Sequence, residues 1–389
     1  MLAALLPGTM LACSTIFGFQ DLTLLDAGSG DASADAPGES TVPDVMAESQ
    51  ADAVPEAAPN EGGCVHAVPP GLPATDDTPD AGDGGVDTVF ALATLDIGQN
   101  GSGQFDPNDA LGFDLDGFCT CIDDGGPSCT GSAANCDTTG GRDEGANVML
   151  AALGHGDSHL DQASLQQRIA SGGSGLIVHV SGYNGLANDR SVIVEYFPSP
   201  GSVTPPSTDG GTPWNVTMAS VAGGGFGSWV SRYQDIQGYV NDYVLVSHLA
   251  SFPLVILPNT GANDNPITFQ LEDVVVQATL MQTGGIWSMT NGQVGARWST
   301  SDALYSLHTL TDDNGNWLCG NAILYQLAAG EICTGADIAS VPSGDGRGQP
   351  CNALSVAIGF TANQAQLADA FDPPVVPSDC PEDWAPSCP

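Results

Sequence analysis

The chain has no lysine. Its cations are Arg142, Arg168, Arg190, Arg232, Arg297 and Arg347, against 46 acidic residues, for a formal net charge of −40 over 389 residues. Nucleic-acid phosphates are neutralised by Lys and Arg clusters, so nucleic-acid binding is excluded. A basic patch for anionic lipid is excluded for the same reason. The apolar stretch at the start, residues 1–12, falls short of the roughly 20 residues a membrane-spanning helix needs. Several catalytic signatures are missing as well. There is no G-x-S-x-G; SGGSG at 171–175 is a glycine stop after a helix. There is no HExxH. His155 and His159 stand four apart beside Asp157 and Asp161, a zinc-capable spacing on a helix, but Gly156 argues for a helix boundary between them. Carboxylate pairs for glycoside hydrolysis are spatial and leave no local signature, so that chemistry stays open.

Cysteine is abundant, at eleven residues. C-x-x-C is absent, which removes the paired zinc knuckle and the thioredoxin-type redox motif. Setting Cys13 apart leaves ten: Cys64, Cys119, Cys121, Cys129, Cys136, Cys319, Cys333, Cys351, Cys380 and Cys388. An even number at these spacings suits disulfides, which persist outside the cytosol. Cys119 and Cys121, separated by one residue, are poorly placed to bond each other and are expected to bond elsewhere. One staple within each cluster (119–136 and 319–388) is expected, with room for a bridge between clusters.

Residues 10–13 read Met-Leu-Ala-Cys. This resembles the lipobox of bacterial lipoproteins, where a signal peptide is cut before a cysteine that is then acylated. The resemblance implies a signal peptide at 1–12, lipidation of Cys13, and an extracytoplasmic address in the cell envelope, at the outer membrane or cell surface. No Lys or Arg precedes Cys13, a departure from the family that places the expected start upstream of Met1. Residues 13–85 are dominated by Ala, Asp, Glu, Pro, Ser and Gly. Such composition cannot bury enough apolar area to offset its ordering entropy, and it is expected to be a disordered, acidic tether, pinned near its end by Cys64.

Residues 86–389 are read as one β-rich domain. LIVHVS (176–181), SVIVEYF (191–197), YVNDYVLVSHL (239–249), FPLVILP (252–258), ITFQLEDVVVQATLM (267–281), GQVGARW (292–298) and ALSVAIGFTA (353–362) are strand segments. Within the fifth, Ile267, Phe269 and Leu271 alternate with polar residues, the period of a half-buried strand. Helices are predicted at 146–153, 158–173 and 301–310. The expected fold is a β-sandwich, jelly-roll-like, with a few peripheral helices and disulfide staples. The order of elements, from GFDLDGFCTC (112–121) through GGRDEGAN (140–147) to LEDVVVQATL (271–280) and GQVGARW, resembles a group of uncharacterised secreted lipoproteins from myxobacteria. That resemblance implies surface location and no particular chemistry.

The acidic loop QFDPNDALGFDLDG offers Asp106, Asp109, Asp114 and Asp116, with Asn108 between and Asp143 at a distance. Carboxylates two apart on extended chain share a side, and Ca2+ takes oxygen ligands of this kind. The loop lacks the EF-hand ligand order, and TDDNGNW (311–317) has its glycine one place early and reads as a tight turn. Capping of backbone amides by the Asp side chains is the plainer alternative. Six tryptophans leave room for a sugar-stacking platform. The leading expectation is a non-enzymatic, membrane-anchored binding domain for a carbohydrate or protein ligand, aided by Ca2+. The rivals are a secreted polysaccharide hydrolase and a structural or adhesion protein of the envelope.

Overall fold

A segment that alternates apolar and polar side chains buries one face of a strand and leaves the other to water or to a second layer. In the computed structural model, which describes residues 64–78, 85–122, 126–131, 136–154, 161–173, 175–256, 267–308, 322–372, 380 and 387–388, these segments form the strands of a single barrel. The elements are β1 (Val86–Asp96), α1 (Gly145–Gly154), α2 (Gln162–Ser171), β2 (Gly175–Tyr183), β3 (Asp189–Ser199), β4 (Gly201–Ser202), β5 (Pro213–Val216), β6 (Val221–Gly225), β7 (Ser228–Ser231), β8 (Tyr233–Asn241), β9 (Val244–Ile256), β10 (Ile267–Thr283), β11 (Ile286–Ser299), α3 (Thr300–His308), α4 (Ala322–Gly335) and β12 (Ala353–Ala370). No helix among the described residues is long and apolar enough to cross a membrane.

Eight strands pair in the order β1-β2-β3-β8-β9-β10-β11-β12. Every neighbour is antiparallel. β12 then pairs back onto β1, with Val89 opposite Ala365 and Asp96 opposite Gly359. The expected sandwich is therefore corrected to a closed barrel. A sandwich keeps two sheets with open edges, whereas here the last strand satisfies the first and those edges vanish. Mainly β architecture, peripheral helices and disulfides are as expected.

An eight-stranded barrel has an interior just wide enough for side chains to fill. Phe90, Val178, Val194, Tyr196, Leu245, Phe252, Leu271, Met289, Val356 and Ile358 belong to that filled core. In β10 the buried positions switch from Phe269 and Leu271 to Val274 and Val276. Asp273 sits between them with φ +50°, and the pairing to β11 shifts there. This is a β-bulge: one extra residue flips the parity, so both halves still face inward.

The alternating up-and-down order makes the barrel polar. The turns 184–188, 242–243 and 284–285 are short and lie at one end. β1, β3, β9 and β11 all end at the other, here called the loop end, where the connections 97–174, 200–232 and 300–352 begin. The 200–232 insertion folds back on the outer wall. There Trp214, Val216 and Val221 cover Ala91, Ile177, Phe197 and Leu367 in a second, smaller core.

Residues 64–78, inside the stretch read from sequence as tether, form an extended strap along the barrel. At the loop end Ala67 N donates to Gly140 O (2.7 Å) and Asp114 N to Ala67 O (2.9 Å). At the turn end Tyr239 Oη donates to Pro70 O (2.7 Å), and Asn188 N donates to Asp77 Oδ2 (2.9 Å). Cys13 and the rest of the acidic stretch up to residue 63 lie outside the described residues.

Candidate functional site

Outside α1, α2, α3 and α4, whose apolar side chains join the main core, the loop end has little regular structure and is tied together by polar groups. Its hub is Arg297, near the end of β11 and fully buried. Nη1 donates to Ala339 O (2.6 Å) and Asp345 Oδ1 (3.3 Å). Nη2 donates to Asp345 Oδ2 (2.7 Å) and Leu115 O, and Nε to Asp273 Oδ2 (3.3 Å). The bulge in β10 presents Asp273 to it. One guanidinium thus ties both loop segments to the barrel wall, a fork geometry that Arg alone offers.

Beside it lies a carboxylate cluster. Asp114, Asp116 and Asp143 each bring an oxygen within 4.8 Å of the others. Their exposures are 8%, 9% and 2%. Backbone amides orient them: Asp114 Oδ1 accepts from Gly117 N (2.7 Å), Asp116 Oδ1 from Phe118 N (2.7 Å), and Asp143 Oδ2 from Leu115 N (2.7 Å). Gly117 (φ +77°) supplies the left-handed turn. At Gly141 (φ +65°) a Cβ would stand 2.9 Å from Asp114 Oδ2, so glycine lets the backbone close on the cluster.

Burial, and then mutual repulsion, shifts these groups upward. Asp116 is pushed to about 7 by burial, with Asp114 and Asp345 adding to it. Asp137, whose Oδ2 accepts from Thr120 N, is pushed to about 9 by burial and by Asp116. Asp143 is driven well above the carboxylate range by burial, Asp116 and Asp137. Asp114 is raised by burial even though His66, in contact through Nδ1 with Oδ2, pulls it down. Nearby, Asp337 Oδ2 accepts from Gly145 N (3.1 Å) at the start of α1, and burial lifts it to about 6.

The expected quartet does not assemble. Asp114 and Asp116 come together and Asp143 joins them, as its distant position allowed. Asp106 is exposed and caps its own turn through Asn108 N (3.0 Å). Asp109 keeps company with Asp96 and is raised to about 6 by burial and that neighbour. Asp106 thus caps a local turn and Asp109 pairs with Asp96, apart from the Asp114, Asp116 and Asp143 group. Asp137, Asp345, Arg297 and His66 carried no local signal, because their partners lie far away in sequence.

The disulfides gather at this end. Cys64 bonds Cys119, Cys121 bonds Cys136, Cys129 bonds Cys351 and Cys333 bonds Cys388. Cys119 and Cys121 do bond elsewhere, each cluster holds a staple, and Cys129–Cys351 bridges the two. Cys380 is disulfide-bonded as well; Cys319 lies outside the described residues. Cys119, being oxidised, is no thiolate ligand for the adjacent His66 and Asp114. His155, His159 and the 311–317 turn also lie outside the described residues. Trp214 and Trp298 are buried in the two cores, and Trp229 and Trp287 are half-buried. No family model matches the chain, and searches of curated proteins and of solved structures return no match.

Proposed function

We propose that the chain is a lipid-anchored, extracytoplasmic module of the cell envelope, in which a filled barrel acts as a rigid, non-enzymatic mount for a ligand-binding loop end. The supporting observation is the placement of its disulfides. Cys64–Cys119 staples the chain where it meets the domain, Cys333–Cys388 fixes the far terminus, and Cys129–Cys351 closes a span of 222 residues. Such staples persist in an oxidising compartment. The ligand is an external protein or carbohydrate met by the loops. Protein is the better fit, since the described tryptophans are partly or wholly engaged in packing. The hydrolase reading gains no support from the cluster: retaining glycosidases hold their carboxylates about 5–5.5 Å apart beside an open cleft, and these three are closer and buried.

Two measurements on the chain expressed with its own N-terminus test this. Mass spectrometry is expected to find an acylated Cys13 as the mature first residue; an unmodified N-terminus removes the anchor. Alkylation of the denatured, unreduced protein is expected to label none of the ten downstream cysteines. Labelling at those positions removes the oxidising compartment.

A further inference from the structure

One part of this acidic chain is nearly free of charge. Residues 200–231, the insertion on the outer wall, hold a single charged residue, Asp209. Where the insertion meets β1, α2 and β12 there is a cleft of about 170 Å³. Ala91 and Trp214, both buried in the second core, lie at its base, and Ala93, Ile169 and Pro206 extend its apolar part. Asn363, Gln364, Ser207 and Thr208 bring amides and hydroxyls to it. None of its lining residues carries a charge. The frame is held in place. Ser207 N donates to Thr212 Oγ1 (2.8 Å), Gln366 N of β12 to Thr212 O (3.0 Å), and Gly211 N to Asp209 Oδ1 (2.9 Å). Gly172, the left-handed cap of α2, lets the insertion close on the helix, since a Cβ there would stand 3.0 Å from Pro206 Cδ. Within this frame the half-buried Asn363, opposite Ala91 in the β1–β12 ladder, makes no side-chain hydrogen bond to the described residues.

We infer that this cleft binds one neutral pyranose ring, a single sugar unit. A cavity of about 150 Å³ takes a benzene-sized ring, so the cleft has room for one six-membered ring. Its lining excludes ionic ligands, because a phosphate, carboxylate or ammonium group entering it would lose water and meet no counter-charge. A purely apolar ring fills the volume but leaves the Asn363 amide shielded and unpaired. A pyranose answers both parts of the lining. Its faces offer C–H groups to the alanines and Trp214 at the base, and its edge offers hydroxyls to Asn363 and Thr208. The ordered frame means that little is left to fix on binding. The site differs from the loop-end ligand proposed above in place and in class, and binding is a property of the purified chain whatever its anchor.

The test is a saturation-transfer NMR titration of the unreduced full chain with D-glucose, D-galactose and N-acetyl-D-glucosamine, and with phenol as an apolar ring of similar size. At least one sugar is expected to saturate, with a dissociation constant of about 10⁻³ M, as befits a ligand of about a dozen non-hydrogen atoms. Asn363→Ala is expected to weaken that binding about 5-fold, the loss of one hydrogen bond. Ala170→Phe places a ring in the cleft from an exposed position on α2 and is expected to abolish it. Near-ultraviolet circular dichroism confirms the fold of each variant, and Ala170→Phe carries the test if Asn363→Ala fails to fold. No saturation by any of the three sugars up to about 50 mM, well above the expected constant, overturns the site. Saturation by phenol alone overturns the ligand class. A sugar affinity unchanged in either folded variant also overturns the proposal, by placing the sugar elsewhere.

Discussion

Leu271 on β10 and Arg297 on β11 are both buried, with exposures of 1% and 0%, but their surroundings differ. Leu271 sits among the apolar side chains of the barrel interior, beneath a continuous ladder from Ile267 opposite Ile256 to Thr279 opposite Val244. Arg297 is surrounded by carbonyls and carboxylates, of which all but Asp273 on β10 come from segments outside the named strands. None of the described half-cystines lies on a barrel strand; they lie on the strap, in the loops, on α4 and at the C-terminal end. Where apolar burial and backbone ladders suffice, the chain uses no cross-link. Where the chain is irregular and acidic, covalent bonds and the buried Arg297 guanidinium take over.

The contrast is broken most severely at Cys129–Cys351. A bond that closes 222 residues restricts the unfolded chain strongly, and the chain-entropy argument sets an upper figure of about 5 kcal/mol. Replacing both cysteines by alanine is expected to lower the urea midpoint by an amount equivalent to about 2–5 kcal/mol. An unchanged midpoint would mean that the loop end contributes little to the cooperative unit. Arg297→Met comes next. It leaves Asp345 buried without its partner, at an expected cost of about 3–5 kcal/mol. Leu271→Ala, at about 2–5 kcal/mol, is its counterpart in the barrel. Hydrogen exchange separates the two: Arg297→Met is expected to accelerate exchange at 112–145 and 336–352 first, and Leu271→Ala in β9 and β10. Identical exchange patterns would dissolve the distinction between the regions.

The same contrast explains what was legible in the sequence. Barrel strands announce themselves through local period-two patterns: LIVHVS became β2, SVIVEYF became β3, and Ile267, Phe269 and Leu271 began β10. The three predicted helices fall on α1, α2 and α3. α4, AILYQLAAGEICTG, is apolar on most sides and so shows no periodicity to read. YVNDYVLVSHL reads as one run, but Asp242 and Tyr243 take positive φ and turn it into the end of β8 and the start of β9. Closure was illegible for a different reason. Barrel and sandwich differ by the pairing of Val89 with Ala365, a contact between chain ends that no local pattern encodes. The carboxylate cluster is half legible on the same grounds: Asp114 and Asp116 are neighbours, whereas Asp143, and Arg297 beside the cluster, arrive through the fold.

The smallest effect, and the finest probe of the barrel wall, concerns His179 on β2. Its Nδ1 meets Glu195 Oε2 of β3 (2.8 Å) and its Nε2 meets Asp87 Oδ1 of β1 (2.6 Å). Glu195 also accepts from Ser231 N of β7 through Oε1 (2.8 Å), so this exterior group links three barrel strands to the insertion. Burial pulls the imidazole pKa down, but the hydrogen bonds and charges of Glu195 and Asp87 outweigh it and the net shift is upward from 6.5. The folded state therefore holds the proton more tightly than the unfolded one. The imidazolium's contribution is complete below about pH 6.5 and is lost as pH rises through the folded value. His179→Gln keeps a hydrogen-bonding side chain and removes the titration. Wild type is expected to exceed it by about 1 kcal/mol in mildly acidic buffer, with the gap narrowing toward alkaline pH. Denaturant midpoints at a series of pH values read this directly. A gap that widens with pH would show that His179 holds the wall as a neutral ring.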